Sequence, residues 1–222
     1  MKSSEKKSTD QSFKNAIKLF FIVFLIWGIY RALFRFPAEI EELVFKPLIW
    51  LVPTFYFLKK ENAKLASIGF NSKNLLQSLY LGIGLGMIFG VIAYLTNIVK
   101  YGGDSTLSGF GFDQNSLLIA LGISLVTAFS EETLFRGYLL TRFAQGLKNS
   151  GAAIVLTTTC WVMIHLPILF FVNNLGFEDI IGRSLLTAAF GFGSATIFAR
   201  TQNIAAPILL SIFWSWPILL FR

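Results

Sequence analysis

The chain has one cysteine and one histidine in 222 residues, and only 14% of its residues are charged. A lone cysteine, Cys160, excludes an intramolecular disulfide framework. A lone histidine, His165, excludes a zinc site built from several imidazoles. Soluble domains carry about 25% charged residues, and folded soluble proteins need a largely polar skin. What this chain has instead is apolar: 55% hydrophobic residues, 24 phenylalanines and a mean hydropathy of +0.65. These proportions exclude a cytosolic globular enzyme, a nucleic-acid-binding domain and a disordered chain, and they leave an integral membrane protein. The net charge of +7 is explained by lysine and arginine gathering in cytoplasmic loops, with no nucleic-acid partner needed. A cleavable signal peptide is not expected. The first apolar run meets Arg31 and Arg35 where a small-residue cleavage site would have to stand.

A hydrocarbon core about 30 Å thick needs roughly 20 mostly apolar helical residues to cross it. About seven segments qualify: 17–36, 43–58, 75–99, 116–136, 151–172, 180–199 and 203–221. The expected fold is therefore an all-α, polytopic transmembrane bundle. The second segment is short and interrupted by Pro47 and Pro53, so it is expected to kink or re-enter. Lysine- and arginine-rich links alternate with links holding Glu39, Glu41 and Glu42, then Asp104 and Asp113, then Glu178 and Asp179. That alternation puts the N-terminus in the cytoplasm. The expected organisation is one membrane domain with a disordered polar tail over 1–12, N-terminal helices over 13–115 and a helical core over 116–221. Gly82, Gly86 and Gly90, joined by Gly84, and later Gly191 and Gly193, read as seams where helices approach closely.

Ionisable groups inside spans are expensive and mark functional positions. The main cluster is Ser130-Glu131-Glu132-Thr133-Leu134-Phe135-Arg136, which follows the apolar stretch from Leu117 and runs on into Gly137-Tyr138-Leu139-Leu140. Glu132 and Arg136 are four apart and share a helix face. Glu131 points about 100° away. One carboxylate can then be neutralised by Arg136 while the other, unpaired, faces a cavity as a general base. The competing reading ends the span near Ser130 and leaves Glu132 and Arg136 as a solvated surface pair. His165 is the second feature, within an apolar run from Ala152 to Val172. It is either a packed histidine bonded to a backbone carbonyl or one that faces water between helices. A glutamate and a histidine from different helices can activate one water for attack on a peptide carbonyl. No cofactor is expected, since catalytic zinc generally takes three protein ligands and His-Glu-x-x-His is absent. Glu131, Glu132 and His165 could still form a carboxylate-rich site for a divalent metal. Gly-x-Ser-x-Gly is also absent, which leaves serine hydrolase chemistry without support.

At these residues the chain resembles the CAAX protease and bacteriocin-processing family of intramembrane proteases, also called the Abi family, which includes the type II CAAX prenyl endopeptidases. Glu131, Glu132 and Arg136 match its Glu-Glu-x-x-x-Arg motif. Trp161 to His165 match its Phe-x-x-x-His motif with Trp in place of Phe. The third motif, His-x-x-x-Asn or His-x-x-x-Asp, falls on Ser211 and Ser215 within a matching Ala206-Pro207-Ile208-Leu209-Leu210 context. The resemblance covers about residues 116–221. It implies a helical bundle with a cavity open to the cytoplasm, Glu131 activating water with help from His165, and Glu132 and Arg136 supporting that geometry. It also implies a substrate-side or oxyanion-side role for Trp161, Ser211 and Ser215. The two serines reach less far than imidazole or carboxamide, so an activity weakened at this position is expected.

The function expected is thus an intramembrane endopeptidase acting on a membrane-associated protein or peptide, in a multi-pass cell-membrane protein with the lipid bilayer as its other partner. Two alternatives stay open. One is a non-catalytic relative serving as an immunity, adaptor or scaffold protein. The other is a small transporter using Glu131 and His165 as a proton relay, against which stands the lack of an inverted repeat. Oligomeric state is not legible.

Overall fold

The structure is a computed structural model and describes residues 2–101 and 114–220. Every regular element among the described residues is helical. In chain order these are α1 (Lys2–Leu33), α2 (Lys46–Lys60), α3 (Leu75–Tyr101), α4 (Gln114–Glu132), α5 (Thr141–Leu147), α6 (Ser150–Pro167), α7 (Phe177–Thr201) and α8 (Ala205–Leu220). A single turn at Ala38–Ile40 and a 3-10 turn at Leu65–Ile68 lie in the links. Three π-helical stretches are spliced in: Glu41–Phe45 leading into α2, Thr133–Leu140 joining α4 to α5, and Ile168–Val172 closing α6.

Among the described residues four stretches are long and apolar enough to cross a membrane: Thr9–Leu33, Leu75–Thr96, Ser150–Val172 and Phe177–Thr201, with Ala205–Ser215 as a shorter apolar helix. The second expected segment is the shorter α2, which starts at Lys46 with Pro47 in its first turn and holds Pro53 inside. Proline lacks an N–H, so it is cheapest in the first turn, where that group has no helical partner anyway. The fourth expected segment runs on beyond its expected end. α4 passes through the π stretch into α5, so Glu131, Glu132 and Arg136 sit within one continuous helical rod. The polar stretch 2–12, expected as a disordered tail, is continuous with α1. The link with Asp104 and Asp113 lies outside the described residues.

Many large apolar side chains point outward, among them Leu25 (58% exposed), Leu76 (82%) and Val99 (85%). Helices satisfy their own backbone groups, which hydrocarbon requires, and an apolar exterior of this extent suits lipid rather than water. The protein is therefore a membrane protein. Its interior gathers Leu19, Val23 and Trp27 of α1, Trp50 of α2, Leu134, Phe135, Tyr138 and Leu139 of the π stretch, and Ile164 of α6.

α3 lies along α8. A Cβ on Gly82 would come within 2.8 Å of Leu209 Cβ, and one on Gly86 would overlap the Phe213 side chain. These two glycines form the close seam. Among the described residues nothing lies within 4 Å of a Cβ placed on Gly84, on Gly90 or on Gly193 of α7. Gly86→Val is expected to destabilise the protein by about 1–3 kcal/mol through overpacking. Gly90→Ala should be neutral or stabilising by up to about 1 kcal/mol. Thermal unfolding in detergent measures both, and equal shifts would contradict the seam.

Two polar knots hold the lysine- and arginine-rich links. Glu61, just past α2, accepts from Asn15 (3.0 Å), Tyr138 (2.7 Å) and Arg142 Nε (2.8 Å). It thereby ties α1 and α2 to the π stretch and α5. Gly69 adopts φ +92 and offers its carbonyl to the Ile204 N–H at 3.0 Å. A side chain there would collide with Phe198, so this turn requires glycine. Asn203 Nδ2 then donates to the carbonyls of Asn71 (2.7 Å) and Lys73 (3.0 Å), clamping the α7–α8 link to the link before α3.

Candidate functional site

The π stretch after Glu132 shifts hydrogen bonding from i→i+4 towards i→i+5, a distortion found often at functional sites. It starts one residue beyond the two carboxylates, and all its residues from Thr133 to Leu140 are buried. Arg136 Nε lies 3.2 Å from Glu132 Oε2, with side chains 1% and 0% exposed. The expected pairing of Glu132 with Arg136 is present. The competing picture of a solvated surface pair does not describe this site.

Arg136 is gripped from several sides. Its Nη2 donates to the Gly191 carbonyl of α7 at 3.3 Å, and its guanidinium lies 4.2 Å from the centroid of the Trp161 ring. Gly191 makes this fit possible, because a Cβ there would come within 2.7 Å of Trp161 Cδ1. Trp161 also meets Phe135 edge-on at 4.9 Å. Ser194 of α7 donates to Glu132 Oε2 at 3.1 Å, and Ser211 of α8 faces the same carboxylate. Among the described residues, Glu132 Oε1, Arg136 Nη1 and Trp161 Nε1 are buried with no hydrogen-bonding partner. Such orphaned groups call for a function or an unseen partner, since buried polar atoms are otherwise almost always bonded.

α6 begins at Asn149, whose side chain accepts from the Ala152 N–H at 3.0 Å as an N-cap. It carries Trp161 and His165 one turn apart, with ring centroids 4.5 Å apart. His165 Nδ1 is 2.7 Å from the Trp161 carbonyl oxygen. A carbonyl only accepts, so Nδ1 carries a proton and Nε2 is the free nitrogen of the neutral ring. The bland expectation of a histidine bonded to backbone thus describes Nδ1 alone. The charges of Glu131, Lys46 and Arg136 all act on His165. Among the described residues no hydrogen bond joins Glu131 to His165 directly.

The expected unpaired Glu131 is paired. Lys46 Nζ, from the start of α2, contacts Glu131 Oε1 at 2.6 Å and Glu42 Oε2 at 2.7 Å. Glu42 also receives the Thr127 hydroxyl at 2.8 Å and lies 3.7 Å from Arg31. Arg31 in turn pairs with Glu41. Glu41 and Glu42, counted from sequence as outer-loop charges, are instead drawn into the bundle. The turn around them wraps back so that Lys46 can reach α4. Arg31, Glu42, Lys46 and Ser194 are the site residues that motif reading misses. A signal for two of them was present, since Arg31 and Lys46 are ionisable groups inside expected spans, as Glu131 is.

The structure thus brings together Glu131, Glu132, Arg136, Trp161 and His165, with Ser211 at the edge against Glu132. Ser215 is not brought in: its hydroxyl donates to the Ser211 and Ile212 carbonyls at 3.1 and 3.0 Å within α8. Among the described residues no group of three or more His, Cys, Asp or Glu side chains converges as a metal site. Residues 113–217 match the family model for the type II CAAX prenyl endopeptidase Rce1-like domain. No curated protein and no solved structure matches the chain.

Proposed function

The chain belongs, through residues 113–217, to the Rce1-like family of type II CAAX prenyl endopeptidases, and from that premise we propose that it is a metal-independent intramembrane endopeptidase of the cell membrane. The observation that carries this reading is the buried constellation of Glu131, Glu132, Arg136, Trp161 and His165 inside the matched region. Glu131 takes a proton from a water molecule whose oxygen attacks a peptide carbonyl. His165 Nε2 orients that water. As the tetrahedral intermediate collapses, the carbon–nitrogen bond breaks, its electron pair stays on nitrogen, and the proton held by Glu131 passes to that nitrogen. The products are a carboxylate and an amine. Glu132, Arg136 and Trp161 hold the helix turn that presents Glu131. Orphaned N–H groups on Arg136 and Trp161 are donors available near developing negative charge. The substrate is a membrane-associated protein or peptide, and the N-terminus lies on the cytoplasmic side.

The test uses purified protein in liposomes with membrane-anchored peptides in heavy-oxygen water. The expected result is a new carboxyl terminus carrying the label, absent with Glu131→Ala. Equal product from both proteins would remove the reading. A second reading, a non-catalytic adaptor or scaffold, is favoured by Ser215 being satisfied inside its own helix and by Lys46 occupying Glu131. It expects partner binding that survives Glu131→Gln and His165→Ala.

A further inference from the structure

Lys46 lies outside the matched region, in the N-terminal half of the chain, and belongs to none of the motifs. Its side chain is 7% exposed, with the ammonium 5.2 Å from the Trp50 ring centroid and 6.0 Å from that of Trp27. Both of its carboxylate partners are close, and Glu42 is itself held by Thr127 and Arg31. Tyr30 donates to Glu41 Oε1 at 3.1 Å, and Glu41 secures Arg31. The position of the ammonium is therefore dictated by α1, the π stretch before α2, and α4 together.

The charges explain why a cation is needed there. Glu131 and Glu132 are adjacent and buried, and Arg136 compensates Glu132. A buried ion left without its partner is strongly unfavourable. Lys46 supplies the second cation, at Glu131. It engages Oε1 and leaves Oε2 as the oxygen that meets water. Across the network Glu41, Glu42, Glu131 and Glu132 outnumber Arg31, Lys46 and Arg136 by one. One proton delivered to Glu131 removes that excess, and this is the charge change the base step makes.

From this geometry we infer that Lys46 is a positioning residue of the hydrolytic site, so that α1 and α2 complete a machinery whose motifs all lie in the C-terminal half. The inference rests on the endopeptidase reading for its kinetic consequence and on the ion pair for its structural one. The experiment compares wild type with Lys46→Met, Lys46→Arg, Glu131→Gln and the Lys46→Met/Glu131→Gln double variant, full length, in detergent and in liposomes. A misplaced base loses rate steeply. For Lys46→Met the expected fall in kcat is on the order of 10²-fold with KM within about threefold. Lys46→Arg, which keeps the charge, should recover about tenfold of that loss. A kcat for Lys46→Met within about threefold of wild type overturns the inference. Lys46→Gln, which keeps a donor but no charge, gives the same comparison where the methionine protein does not fold. Melting temperatures of the four-protein cycle need no activity. Glu131→Gln should lower the melting temperature much less when Lys46 is already methionine. If wild type cleaves nothing beyond what Glu131→Gln cleaves, the endopeptidase reading falls. The melting cycle then decides alone, and additive shifts overturn the hold of Lys46 on Glu131.

Discussion

Glu131→Gln is expected to reduce peptide cleavage by on the order of 10²–10⁴-fold, the contribution of a positioned general base, with KM little changed. Glutamine keeps the shape and still offers an oxygen to Lys46, so the helix should keep its place, and the melting temperature should fall only by what the weakened Lys46 contact contributes. What is lost is the capacity to take a proton from water. The neighbouring Glu132→Gln has a different expected signature, although the two positions are adjacent in the chain. Glu132 is 0% exposed, faces Arg136 and receives Ser194. Its neutralisation leaves a buried guanidinium short of its anion, so unfolding should come at markedly lower temperature, with activity falling as a consequence. Measuring kcat, KM and melting temperature on both variants separates base from scaffold. Activity of Glu131→Gln within tenfold of wild type would show that the proton goes elsewhere.

Arg136→Met should cost about 3–5 kcal/mol of stability, the penalty for stranding a buried ion by removing its partner. The loss includes the Gly191 carbonyl contact and the stacking on Trp161. Methionine fills most of the space, so little of the effect is a cavity. The double replacement Arg136→Met with Glu132→Gln should regain a large share of the loss, because a buried pair removed on both sides leaves no uncompensated charge. Denaturant titration of the two single variants and the double one gives the coupling. A single-variant loss below about 1 kcal/mol would mean that water reaches the guanidinium, against its 1% exposure.

Much of the site could be read along the chain. The Glu132–Arg136 pair follows from four-residue spacing on a helix, and the ring contact of Trp161 with His165 follows from the same spacing in α6. The glycine seam could be read only in part. Spacing places Gly82, Gly86 and Gly90 on one face, and among the described residues the first two meet α8. Where one helix leaves another depends on crossing angle, which periodicity does not carry. The serines of α8 show the same limit. Ser211 and Ser215 share a face, but the structure turns the first towards Glu132 and lets the second bond to its own helix.

Composition and hydropathy alone settled that this chain is a helical membrane protein, because an apolar surface of that extent has no other stable environment. Local spacing settled which residues of one helix stand together. The tertiary structure alone decided that Glu131 is met by Lys46 and that Glu41 and Glu42 turn inward to Arg31 and Lys46. The physical reason is distance along the chain. A carboxylate buried in a helix must find its compensating charge in space, and here the cation comes from a helix whose own sequence reads as a short, proline-broken apolar run.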